Sequence, residues 1–184
     1  MNISNKISWL TRTAMLTALL ITWQMFMGPA TGNNQLIVGS GVNLILAVAV
    51  MTGGFGSGAA VGVLSPIFAR FLGIGLMEAV PFIMLGNLAF AIVWHMIGNA
   101  KIGSKPVYAH VIAAVCAAFA KFLIIFLGVS YVVLPILLHD IPQQRADAIA
   151  ATFGITQFIT ASIGGGVACV MLPLLRNALT KENV

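Results

Sequence analysis

Hydrophobic and polar positions separate into long blocks along this chain, with six apolar stretches filling almost all of its 184 residues. A helix that crosses the hydrocarbon core of a bilayer needs roughly 20 apolar residues, so each stretch predicts one membrane-spanning helix. The predicted spans are residues 10–27, 36–51, 55–72, 80–97, 109–128 and 151–175. The pattern therefore predicts an all-α integral membrane protein, a compact bundle of six transmembrane helices that forms one domain over residues 1–184.

Composition and charge agree with a membrane location. Hydrophobic residues make up 60% of the chain and charged residues 7%, and the mean hydropathy is +1.04. The net charge of +5 does not indicate a nucleic-acid partner, because the basic residues lie at the ends of apolar stretches. These flanking residues are Lys6, Arg12, Lys101, Lys105, Arg176 and Lys181. The positive-inside rule then predicts a multi-pass protein of the cell membrane with both termini in the cytoplasm.

Sequence signals for catalysis are missing from the chain. It contains no Gly-x-x-x-x-Gly-Lys-Ser/Thr loop, so we do not expect it to hydrolyse ATP itself. Cys116 and Cys169 fall inside predicted spans, and no Cys/His cluster has the spacing of metal ligands. We therefore expect no cofactor, no metal and no enzymatic activity in this subunit.

Five predicted spans each carry one polar side chain at a similar depth. With a rise of 1.5 Å per helical residue, Asn43, Asn87 and Gln157 lie about 10 Å from the outer ends of their spans. Arg70 falls in the outer part of its span, and Lys121 lies beyond the midpoint when counted from the cytoplasm. These residues are the predicted substrate-binding residues.

The two cations indicate an anionic substrate. A cation at mid-membrane costs about 2.5 to 3.5 kcal/mol, and the chain has only four acids with which to pair it. A carboxylate or phosphate would suit the forked guanidinium of Arg70 and the point charge of Lys121. Alternatives remain open: Arg70 could extend to the interface, Lys121 could bind helix carbonyls or be deprotonated, and the three amides could join helices.

The first span carries small residues every four positions, at Ala14, Ala18 and Thr22, which would let another helix approach closely. A basic amino-terminal segment, Ala14-Met-Leu-Thr-Ala18, six spans and fewer than 200 residues together resemble the substrate-binding S components of energy-coupling factor (ECF) vitamin transporters. Further segments resemble one subgroup of this family: Val38-Gly-Ser-Gly-Val-Asn43-Leu, Gly56-Ser-Gly58, Leu64-Ser-Pro66 and Val80-Pro-Phe-Ile-Met-Leu-Gly-Asn87.

The resemblance implies an S component of an ECF-type ABC importer, which binds a water-soluble vitamin from outside. The partners would be a transmembrane coupling subunit and two ATP-binding subunits. The family's Ala-x-x-x-Ala docking motif matches Ala14 and Ala18, and Thr22 continues the same stripe. The loop after the first helix acts as a lid in the family, and here it offers Asn33 and Asn34 to a substrate.

Pantothenate is the first candidate among vitamins, because its carboxylate would meet Arg70 or Lys121 and its hydroxyls and amide would meet the three amide side chains. Nicotinate, pyridoxal-type compounds and hydroxymethylpyrimidine phosphates remain open. Two other classes of function are alternatives. One is a stand-alone secondary transporter of a small organic anion, although no acid lies deep in a predicted span. The other is an intramembrane enzyme, although no catalytic set lies at one depth.

Overall fold

The computed structural model describes residues 3–31, 34–102 and 106–181, and these residues form an all-α fold without strands. The helices are α1 (Ile3–Ala30), α2 (Gln35–Phe71), α3 (Val80–Gly98), α4 (Pro106–Gly128), α5 (Gln143–Phe153) and α6 (Ile155–Lys181). A short 3-10 turn, Met77–Ala79, precedes α3. The predicted all-α class is therefore confirmed.

Four helical segments within the described residues are long and apolar enough to cross a membrane. They are Gln35–Phe71, Met77–Gly98, Val107–Leu137 and Gln143–Leu174. This agrees with a multi-pass membrane protein. Helix α1 is not one of the four, so the predicted crossing at residues 10–27 and the total of six spans stay predictions.

The predicted second and third spans both lie within α2, which is broken at Gly54. The backbone there has φ 71° and ψ −168°, a conformation that glycine adopts without a Cβ clash. Beyond the break, a Cβ added to Gly62 would lie 3.4 Å from Cδ1 of Leu46. In an unbroken helix these residues would be about 24 Å apart. The first arm (35–53) and second arm (55–71) of α2 therefore fold back on each other.

Helix α1 packs along the first arm of α2 in the opposite direction. The ring nitrogen of Trp9 donates a hydrogen bond to the carbonyl oxygen of Gly53, at 2.9 Å. Near the other end, the ring nitrogen of Trp23 donates to the carbonyl oxygen of Val38, at 3.0 Å. Each indole thus satisfies its polar group inside an apolar contact.

Most of the buried hydrophobic residues among those described form one cluster, which we call the packed core. Phe90 and Trp94 of α3 contact each other in it, with their rings tilted and the ring centroids 5.3 Å apart. Alanines from the neighbouring helices surround the two rings and let α3, α4 and α6 approach closely. The fully buried alanines from α4 and α6 are Ala113, Ala117, Ala118, Ala161 and Ala168.

A second, smaller cluster lies at the opposite end of the bundle. Helix α4 continues as a π-helical stretch, Val129–Leu137, whose Val129 and Val133 are buried. They pack with Ala79 and with Phe153 at the end of α5. This contact holds α5 against the end of the bundle where the candidate site lies.

Candidate substrate-binding site

A cavity of about 480 Å³ lies where the two arms of α2 approach α1, α3, α4 and α6. Its volume falls within the range of about 300 to 1,000 Å³ that small-molecule sites occupy. Most of the lining is apolar or glycine. The polar side chains that line it include Gln24, Asn43, Ser65, Asn87, Lys121 and Gln157.

Lys121 is the only charged side chain among the described residues that line this cavity. The side chain is only 2% exposed, and its Nζ donates a hydrogen bond to Oδ1 of Asn43 at 2.7 Å. Gly86 lets α3 approach α4 at this level, because a Cβ there would lie 3.3 Å from the carbonyl oxygen of Lys121. The ammonium thus has a neutral partner and spare donors on the cavity side.

Asn43 is held so that its oxygen faces Lys121. Its Nδ2 donates to the carbonyl oxygen of Gly39 at 2.8 Å and to Oγ1 of Thr160 at 3.4 Å. Thr160 in turn donates to the carbonyl oxygen of Gln157 at 3.2 Å. This network joins α2, α4 and α6, so the position of the ammonium is set by three helices.

Two carbonyl oxygens of side chains that line the cavity are buried without a hydrogen-bond partner in the described part of the chain. They are Oδ1 of Asn87 and Oε1 of Gln24. The amide nitrogen of Asn87 donates to the carbonyl oxygen of Gly62 at 2.8 Å. Gln157 donates through Nε2 to the carbonyl oxygen of Thr152 at 3.1 Å. The cavity therefore offers one cationic donor and at least two neutral acceptors.

The charged and polar groups of the lining favour an anionic group in the cavity. No Asp or Glu lines the cavity among the described residues, so the charge of Lys121 has no acidic side chain to balance it. An anionic group beside the ammonium would be attracted strongly, since the surroundings are apolar and shielded from water. Among the same residues, no three of His, Cys, Asp or Glu lie close enough to hold a metal ion.

The structure brings together four of the five polar residues predicted within the spans: Asn43, Asn87, Lys121 and Gln157. Arg70 is not among them. It is exposed near the end of α2, and its Nε lies 3.3 Å from Sδ of Met77. Its predicted contact with substrate therefore has no geometric support from the cavity.

Asn34, one of the two loop residues predicted to contact substrate, is not among the described residues that line the cavity. Asn34 caps the first turn of α2, where its Oδ1 accepts a hydrogen bond from the backbone nitrogen of Leu36 at 3.0 Å. Asn33 lies outside the described residues. Substrate binding by these two residues stays a prediction.

The small-residue stripe of α1 lies on the surface. Ala14, Ala18 and Thr22 are all exposed, whereas Thr13 and Thr17 on another face of the helix are buried. Thr13 donates a hydrogen bond to Oγ of Ser57 at 2.9 Å, which ties its face to α2. The stripe is thus accessible to another helix.

Sequence analysis missed Gln24, which lines the cavity from α1. Six residues separate it from the end of α1 at Ala30, which places it about 9 Å from that end. The depth count did not select Gln24, because the predicted first span ends at residue 27, only about 4.5 Å from it along the helix.

Comparison with known proteins gives no relative: no family model, no curated protein and no solved structure matches this chain. The function must therefore be inferred from the chemistry of the cavity and from the sequence motifs.

Proposed function

We propose that this chain is the substrate-binding S component of an ECF-type ABC importer. It binds a small, anionic, water-soluble vitamin from outside the cell and delivers it together with a coupling subunit and two ATP-binding subunits. The observation that carries the proposal is Lys121, a buried basic residue in a cavity that no Asp or Glu of the described residues lines. Pantothenate is the first candidate vitamin.

In the proposed membrane arrangement the chain crosses six times, through α1, both arms of α2, α3, α4 and α6. The bond from Trp9 to Gly53 supports it, because it brings the start of α1 beside the turn between the arms. His95, near the end of α3, lies close to the same turn. In this arrangement Lys6 and Lys101 lie on the side of the membrane where this turn lies. Lys105, which is predicted to lie on the same side, is outside the described residues. With this side in the cytoplasm, the cavity lies toward the outside.

The proposed pose places the vitamin carboxylate on Lys121. A charge-assisted hydrogen bond in a water-poor site contributes about 1.5 to 3 kcal/mol. Asn87 and Gln157 then face the neutral part of the molecule, and the bond from Lys121 to Asn43 keeps the ammonium in position. The largely apolar lining accommodates the aliphatic part of such a vitamin.

The proposed docking surface for the coupling subunit is the stripe of Ala14, Ala18 and Thr22. Small residues let two helix backbones approach closely in a bilayer, where association depends on packing. Exposure of all three residues supports the assignment.

Direct binding tests the proposal. The purified chain, without partners, is titrated with pantothenate, nicotinate and pyridoxal phosphate, with calorimetry and ligand-induced thermal stabilisation as readouts. Saturable binding of one anionic vitamin per chain, weakened in Lys121→Met and kept in Arg70→Met, would support it. Absence of binding to a folded wild-type sample would overturn it. Uptake that depends on a proton gradient and needs no ATPase partner would instead identify a secondary transporter.

A further inference from the structure

The two buried carbonyl oxygens without a partner, on Gln24 and Asn87, both belong to residues that line the cavity. A buried acceptor that lacks a donor is unfavourable, and a ligand that supplies an O–H or N–H group removes this cost. The two oxygens therefore indicate which groups a ligand should supply, because no described residue donates a hydrogen bond to either of them.

The Asn87 amide is held in one orientation, and Gln24 lies on a part of α1 that is held in place. The nitrogen of the Asn87 amide is already bonded to the carbonyl oxygen of Gly62, which leaves the oxygen as the free end. Gln24 follows Trp23, whose ring is bonded to Val38 and packs directly against Gly41. This contact fixes α1 against the first arm of α2 at the level of Gln24.

The charge balance of the lining limits the ligand further. Lys121 supplies one positive charge, and no described lining residue supplies a negative one. A ligand ammonium would meet no counter-charge, and a dianion would leave one of its charges unbalanced in an apolar site. A single carboxylate matches the single ammonium.

We infer that Gln24 on α1 and Asn87 on α3 bind neutral hydrogen-bond donors of the ligand, and that the site selects a monocarboxylate bearing hydroxyl or amide N–H groups. This inference rests on the proposed function. It adds α1 to the binding site and requires donors in the ligand besides its negative charge.

The test compares two monocarboxylates on wild-type protein and on Gln24→Met. Pantothenate carries hydroxyl and amide donors, whereas nicotinate carries a carboxylate and no O–H or N–H donor. Methionine keeps the length of glutamine and removes its acceptor. We expect Gln24→Met to weaken pantothenate binding about three- to tenfold, the loss of one neutral hydrogen bond, and to leave nicotinate affinity within about twofold. Met25→Leu, at an exposed neighbouring position, should change neither affinity.

The outcomes separate this inference from the proposed function. Unchanged pantothenate affinity in Gln24→Met, or an equal loss for both ligands, would overturn the role of Gln24. Wild-type protein that prefers nicotinate would overturn the donor requirement while the S-component proposal stands. A folded wild-type sample that binds no vitamin would overturn both. If nicotinate binds too weakly to measure, the donor requirement is supported, and the unfolding temperature without ligand replaces it as the control for Gln24→Met.

Discussion

The packed core and the cavity use small residues in opposite ways. In the core, Ala113, Ala117 and Ala161 are fully buried, and they bring helices into contact around Trp94. At the cavity, Gly73 and Gly75 have positive φ and belong to the loop that lines the site, and a Cβ on either would meet nothing within 4 Å.

The difference shows how one apolar chain can make both a rigid scaffold and a binding site. Alanine on a helix shortens the distance between two backbones, whereas glycine in a loop lets the chain turn without filling space. Polar side chains mark the second region. Lys121 and Asn87 are as buried as the core residues, yet they line a cavity.

The largest effect is expected where the two regions meet, at Gly164 of α6. A Cβ there would lie 2.5 Å from the carbonyl oxygen of Ser40 and 2.6 Å from the backbone nitrogen of Leu44. Backbone atoms cannot move aside as side chains do, so Gly164→Leu should separate α6 from α2 and prevent recovery of folded protein.

The matched control is Gly166→Leu on the same helix. A Cβ at Gly166 would have no neighbour within 4 Å, and the residue is exposed. Size-exclusion profiles and thermal unfolding in detergent would compare the two variants. A folded Gly164→Leu protein with an unchanged unfolding temperature would contradict the close packing described here.

The second-largest effect is expected for exposed small residues of α1, which belong neither to the packed core nor to the cavity. The double variant Ala14→Leu/Ala18→Leu should lower vitamin uptake by about tenfold or more in cells that contain the partner subunits, equivalent to roughly 1.4 kcal/mol of docking free energy. Vitamin binding by the purified chain should stay unchanged, because both residues lie on the exposed face of α1. Ala148→Leu, at an exposed position on α5, serves as the control. Lost binding with normal complex assembly would refute the docking assignment.

The sequence indicated how far along its helix each polar residue lies, but not which face of the helix it occupies. Apolar run lengths and the helical rise predicted the all-α class and selected Asn43, Asn87, Lys121 and Gln157, which line one cavity. Pairing of Lys121 with Asn43 joins residues 78 positions apart, a separation that no local pattern reports.

Three features of the structure were not predicted from the sequence. Depth placed Arg70 with the other polar residues, but its side chain is on the exposed surface, because distance along a helix does not tell which face a residue occupies. Asn34 caps the first turn of α2, a common role for asparagine at that position, and its contact with substrate stays a prediction. Past Gly128, the predicted end of the fifth span, the chain continues in π-helical form to Leu137, which the apolar pattern did not predict.

The third effect tests the charge that distinguishes the cavity from the core. Lys121→Met should weaken binding of an anionic vitamin by about 1.5 to 3 kcal/mol, because it removes a charged hydrogen bond. The unfolding temperature without ligand should not fall, since burial of an ammonium beside a neutral amide is costly and methionine fills a similar volume. Calorimetry and thermal unfolding measure the two quantities separately. A large loss of stability with unchanged affinity would show that Lys121 belongs to the scaffold.

The smallest effect is expected at Arg70, the cation of the same predicted belt that lies outside the cavity. Its guanidinium is exposed and contacts Met77, so water screens its charge from a ligand in the cavity. We expect Arg70→Ala to change vitamin affinity by less than about twofold, in line with the small contribution of exposed charges. A loss of affinity comparable to that in Lys121→Met would mean that the guanidinium moves to the opening of the cavity when ligand binds. In that case two cations would face the ligand, and the cavity would suit a dianion such as a phosphorylated vitamin better than a monocarboxylate. The pair of variants at Lys121 and Arg70 therefore also determines how many negative charges the ligand carries.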